Sequence, residues 1–100
     1  MVRQIDRIVT ASATLHPSDN VVLVDTTAGA VTLTLPDAAN ARGLVLTVKR
    51  VTGGGNACTV QGAGSDVIDG STVSLPNQYD VATLAAVLTT SPNTYGWVVL

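Results

Sequence analysis

The stretch AVTLTLPDAANARGLVLTVKRV, Ala30 to Val51, decides the fold class. Val31, Leu33 and Leu35 alternate with Thr32 and Thr34, so a strand with one buried and one wet face ends at Pro36, whose ring removes a ladder donor. A second alternating strand begins after Gly43. Between them PDAANARG opens with Pro, carries Asp early and closes with Gly, and these signals predict one helical turn from Asp37 to Arg42 with Gly43 as C-cap. So short a turn cannot stand alone and reads as a compact crossover. Its Ala38, Ala39 and Ala41 are small enough for close approach by a neighbouring subunit, which makes them candidate subunit contacts.

The same period-2 pattern runs outward from this stretch in both directions. It predicts strands near Ile8–Leu15, Val21–Asp25, Ala30–Leu35, Leu44–Val51, Cys58–Gln61, Thr72–Leu75, Val81–Leu88 and Tyr95–Val99. The breaks fall at HPSDN, TTAG, TGGGN, GAGSD, DGS, LPNQ and SPNTYG, all rich in residues that accept turn dihedrals. About eight short strands in 100 residues leave room for one layered, all-β domain. Within it, residues 1–17 read as an N-terminal arm and first strand, and residues 18–100 as the module. Val2, Ile5, Ile8 and Val9 recur at near-helical spacing, so the first eight residues could form an arm, a strand or a coiled-coil remnant; an extended arm is the preferred reading. AVTLTLP and STVSLP echo each other, each a strand stopped by Pro, but two copies do not make a repeat.

Composition narrows the function classes. A chain of this length buries roughly 60–70% of its unfolded surface. With 46% apolar residues, no Phe, and Tyr79, Tyr95 and Trp97 as the only aromatics, its core must be built from Val, Leu, Ile and Ala. Ordering such a chain costs on the order of 100–200 kcal/mol, which favours self-association in a small domain without disulfides. A net charge of −2, with four of five cations in the pairs Arg3/Arg7 and Lys49/Arg50, gives no basic footprint for nucleic acid. Lys49 and Arg50 read as an edge-strand or rim pair that discourages sheet-to-sheet aggregation. MVRQIDRIVT has no signal-peptide apolar region and no run of about 18 apolar residues occurs, so the chain reads as soluble, without its own export signal and without membrane insertion.

Chemistry is sparse. Cys58 is alone, so neither an internal disulfide nor a Cys-x-x-Cys metal site can form, and it reads as a buried, poorly reactive side chain. His16, the only histidine, precedes Pro17 in a turn with no second ligand at metal spacing. The glycines of VTGGGNAC lack a phosphate-loop frame and read as a flexible hairpin loop. Asp66 and Asp69 do not match a calcium-loop pattern, and IDGS reads as a β-turn with Asp69 as acceptor. No catalytic, cofactor-binding or metal-binding residue is assigned, and no enzyme is expected. Tyr79, Tyr95 and Trp97 remain as candidate interface or glycan contacts, with core filling as the competing role for Trp97.

Several elements in order resemble a known class of module. The VTLTLP strand, the Ala-rich turn ending at Gly43, the GN loop at Gly55 and Asn56, the IDG turn at Ile68 to Gly70 and the closing GW at Gly96 and Trp97 are similar to small β-rich modules of tail fibres, tailspikes and other virion surface proteins of tailed bacteriophages. The resemblance covers about Ser18 to Leu100. It implies an antiparallel β-sandwich or jelly-roll-like fold, assembly as a homotrimer, a structural or adhesive role, and docking on a phage capsid or tail protein. The implied location is the virion, assembled in the host cytoplasm, as a head decoration, head-fibre or tail-fibre module. The competing expectation is a carbohydrate-binding module that recognises a host surface polysaccharide.

Overall fold

The computed structural model describes residues 5–16, 20–64, 66, 68, 72–90 and 94–100, with the side chains of residues 5, 6, 88–90, 94 and 95 outside the description. Among the described residues there are nine strands: β1 (Ile5–Val9), β2 (Ala13–Thr14), β3 (Val21–Val24), β4 (Val31–Thr34), β5 (Val45–Arg50), β6 (Cys58–Gln61), β7 (Val73–Ser74), β8 (Val81–Thr90) and β9 (Thr94–Val99). They form a five-stranded sheet in the order β1-β3-β5-β8-β9 and a four-stranded sheet in the order β2-β4-β6-β7. The all-β expectation holds, with no helix among the described residues.

The chain reaches this order by winding. From β1 to β6 it alternates between the sheets, and each strand lies parallel to the one laid down a turn earlier: β3 on β1, β4 on β2, β5 on β3 and β6 on β4. Parallel neighbours need a long crossover, and here the crossover is a strand of the opposite sheet. The winding then stops. β7 turns back antiparallel on β6, β8 returns antiparallel to β5, and β9 pairs antiparallel with β8. The sheets are therefore mixed, which corrects the antiparallel expectation. Alternating apolar residues specify which face of a strand is buried but not the direction of its neighbour.

Three local readings are corrected by the same winding. Ile8–Leu15 is not one strand, because the chain leaves the five-stranded sheet after Val9 and joins the other at Ala13. The extended arm gives way to a strand at Ile5–Val9, paired along β3. TGGGN is not a hairpin loop, since β5 and β6 lie in different sheets; it is an inter-sheet connection. One hydrophobic core collects the inward residues of both sheets, including Val22, Val24, Leu46, Val48 and Leu84 from one and Val31, Leu33, Cys58 and Val60 from the other.

The segment Asp37–Arg42 forms successive turns instead of a helical turn. Asn40 N–H donates to Asp37 O (3.0 Å), Ala41 N–H to Ala38 O (3.2 Å) and Leu44 N–H to Ala41 O (2.9 Å), all with three-residue spacing. Helix does not propagate, because the donor that would extend it, Gly43 N–H, goes to Ala86 O (2.9 Å) in the five-stranded sheet; Ala38 N–H, which a helix would leave free, goes to Asp66 Oδ2 (2.9 Å). Gly43 does take the left-handed conformation expected of it, at φ 79°.

Candidate functional site

The residues with unusual chemistry sit mainly inside, in two clusters at opposite ends of the core. At one end lies Arg50, the last residue of β5, which is 1% exposed. Leu46, Val48 and Arg50 share the inward face by strand parity, so the guanidinium enters the space between the sheets. It makes six hydrogen bonds. Nε donates to Thr52 O (2.8 Å); one terminal nitrogen donates to Leu75 O (2.9 Å) and Pro76 O (3.1 Å); the other donates to Asn56 O (2.8 Å), Gly54 O (3.2 Å) and Thr26 Oγ1 (3.2 Å). Thr26 is fully buried; its N–H donates to Thr52 Oγ1 (2.8 Å), while its carbonyl accepts from Asn56 Nδ2 (2.7 Å).

This cluster overturns the rim-pair reading of Lys49 and Arg50. β5 is the central strand of its sheet, so successive residues point to opposite faces, Lys49 outward and Arg50 inward. A buried guanidinium stays charged, and its cost falls only when its five N–H groups are satisfied. Carbonyls of two connections and the Thr26 hydroxyl of a third do that here, and no buried side-chain polar atom among the described residues is left without a partner. The glycine loop is thereby explained as well. Gly54, at φ 99°, and Asn56 aim carbonyls at a cation, whereas a phosphate site would need converging N–H groups.

At the other end lies Trp97, with none of its surface exposed. Its Nε1 donates to Pro36 O (3.1 Å), and its backbone bridges Ile68. Trp97 fills a Phe-free core and offers no face to a sugar, so the glycan or interface contact is withdrawn for this residue. Ala38 (0% exposed) and Ala41 (4%) are also in the chain's own core, which removes them as subunit contacts; only Ala39 of the three is exposed. Asp66 holds the crossover through Ala38 N–H, and Gly62 is the residue that lets it approach: a Cβ at Gly62 would run into the Asp66 carbonyl oxygen, with Asp66 C only 2.7 Å away.

The remaining candidates are dispersed. Tyr79 is 64% exposed at φ 70°, an unusual conformation for an aromatic residue, held by its N–H donating to Arg50 O (2.7 Å). Lys49 Nζ lies 5.6 Å from its ring centroid, so a cation already occupies one side of the ring. The Tyr95 side chain, Asp69 and Gly70 fall outside the described residues. His16 is exposed, and no group of three metal-ligating side chains occurs among the described residues. Cys58 is buried at 1% exposure; burial pushes its thiol pKa up, against a smaller opposing effect of the Arg50 charge. The thiolate that reacts with electrophiles is thus disfavoured.

Arg50 was the residue that sequence reasoning missed. The parity of VLTVKR carries the signal, since an Arg in register with Leu46 and Val48 faces inward if the strand continues that far. Compared with family models, curated proteins and solved structures, the chain matches none of them.

Proposed function

We propose that this chain is a structural module of a bacteriophage virion surface, a head decoration, head-fibre or tail-fibre component that assembles as a homotrimer and docks on a capsid or tail protein. One observation supports this reading: the elements that carry the phage resemblance are spent on framework. Pro36, closing VTLTLP, accepts the hydrogen bond of Trp97 from the closing GW. Ile68 of IDG is buried and bridges Trp97. Ala38 of the Ala-rich turn is tied to Asp66, and Asn56 of GN closes the Arg50 cluster from both its carbonyl and its amide. Such an inventory suits a structural part whose product is shape. In the particle the two mixed sheets act as a sandwich-like block, and function resides in their outer faces.

Gold-labelled antibody and electron microscopy of purified particles test the reading. Label at a fixed site on heads or tails is the expected result, and particles free of label would overturn it. Sedimentation of the isolated chain tests the threefold assembly, which rests on the resemblance alone.

A further inference from the structure

The outer faces of the two sheets have opposite chemistry. On the four-stranded sheet, register aligns Thr14, Thr34 and Gln61 in one row and Thr32, Thr59 and Ser74 in the next. Every one of these side chains carries a hydroxyl or an amide. On the five-stranded sheet, one row reads Ile8, Leu23, Lys49, Val81; the next Val21, Thr47, Thr83; the third Val45, Ala85, Val98. Ile8 is 61% exposed, Val81 52% and Val45 38%, with Leu23 and Val98 half-buried and Ala85 buried between its neighbours in the row.

β-Propensity does not explain the difference. Thr satisfies it on the first face, so the same strand-forming tendency was available on the second without exposing hydrocarbon. β3 sharpens the point. Its sequence, VVLV, is the continuous apolar run of a parallel strand buried on both faces, although within this chain only Val22 and Val24 face the core.

We infer that the outer face of the five-stranded sheet is the surface through which copies of this chain assemble, with the hydroxyl-rich face turned to water. This rests on the self-assembly in the proposed function and gives it a location. Two observations select a second copy as the occupant. The ten positions of these rows, with strands about 4.8 Å apart and rows about 7 Å apart, span roughly 300–350 Å², enough for the centre of an interface of about 800 Å² per partner. The face is also nearly neutral: Lys49 is the one charge among its described side chains, in the marginal row and drawn to the Tyr79 ring. A surface without a field selects no oppositely charged partner, whereas pleated β-branched rows pack against copies of themselves as sheets do in a sandwich.

The test places one charge on either face and reads assembly by sedimentation over a wide dilution range. Leu23→Glu and Val81→Glu both sit beside Lys49 in the ladder, so the added charge has a partner in the single chain. Each is expected to weaken association at least about tenfold, while Thr34→Glu and Thr59→Glu assemble like the wild type. Wild-type assembly that withstands Leu23→Glu and Val81→Glu would overturn the assignment of the face and leave self-assembly standing. A wild-type chain that stays monomeric at every concentration would overturn self-assembly itself. Val81→Cys gives a second readout without a charge. Its thiol should be labelled on dilution and protected when concentrated, with buried Cys58 silent throughout and Thr34→Cys labelled equally in both conditions; equal labelling of Val81→Cys in both would count against the interface.

Discussion

The two ends of the core solve one problem by opposite chemistry. Both must close a gap between sheets in a chain that has no Phe and few large side chains. At the end beyond Val45 the gap is filled with volume: Trp97, buried in the same core as Leu35, Ala38 and Ile68, bridges Ile68 through its backbone and gives its one side-chain donor to Pro36 O. At the Arg50 end it is filled with hydrogen bonds, six from one guanidinium to the connections that leave β3, β5 and β7. Volume can be replaced by volume. A fork of five donors has no substitute of the same shape. The lesson is that a buried cation can act as the organiser of loops that have too few apolar residues to pack.

If that contrast is right, conserving size should fail at the Arg50 end and succeed in part at the Trp97 end. Arg50→Met keeps most of the volume but strands the carbonyls of Thr52, Gly54, Asn56, Leu75 and Pro76. Its expected cost is about 3–5 kcal/mol, measured by urea denaturation. A loss below about 1 kcal/mol would break the comparison, because the carbonyls would then be finding water unaided. Trp97→Phe keeps an aromatic body and gives up the Pro36 bond with part of the volume, so a smaller loss of about 2–3 kcal/mol is expected.

A finer pair of substitutions compares the backbone at the two ends. Gly62→Ala pushes a methyl group into the Asp66 backbone, which cannot retreat without releasing Ala38 N–H at the Trp97 end. The expected loss is about 1–2 kcal/mol. Gly29, in the turn after Thr26 at the Arg50 end, has nothing within 4 Å of a built Cβ, and Gly29→Ala should stay within about 0.5 kcal/mol of the wild type. Equal effects at the two glycines, read from the same denaturation curves, would show that the Asp66 tether is looser than its geometry.

How far the sequence disclosed this architecture differs between these regions for physical reasons. Strand existence was legible almost throughout, because Thr–Leu alternation in VTLTLP and VLTVKR reports burial directly, and strand ends followed from Pro36, Gly43 and the glycine loop. Strand direction was not. A parallel and an antiparallel neighbour bury the same face, and nothing local in TTAG or TGGGN says whether the chain turns back or crosses to the other sheet. Trp97 as core filling was legible from its rarity. Arg50 was not, since a charged pair such as Lys49–Arg50 reads as surface until one asks where parity sends each member. The two outer faces were half legible: Thr in β4 declared a wet face, while VVLV in β3 looked like any buried strand and hid the fact that one side has no cover among the described elements of the chain.

The smallest expected effect concerns the connection from β3 to β4 at the Arg50 end. Asp25 Oδ1 accepts a hydrogen bond from Thr27 N–H at 2.8 Å, and hydrogen bonds from the Thr27 side chain first and its backbone second hold the carboxyl below its ordinary value of 3.8, against a small opposing effect of desolvation. A carboxyl whose pKa is lower folded than unfolded binds fewer protons in the native state. Its contribution to stability is therefore present above pH 3.8 and is lost as the pH falls below that value through the folded pKa. Because the group is solvent-exposed the effect is small, and it should appear as a slope in the urea midpoint between neutral and acidic pH rather than as a collapse. Asp25→Asn keeps an acceptor for Thr27 N–H but cannot titrate, so it should flatten that slope while leaving the midpoint at pH 7 nearly unchanged. A slope of undiminished size in Asp25→Asn would assign the acid sensitivity to other groups and break the link between the Thr27 hydrogen bonds and pH.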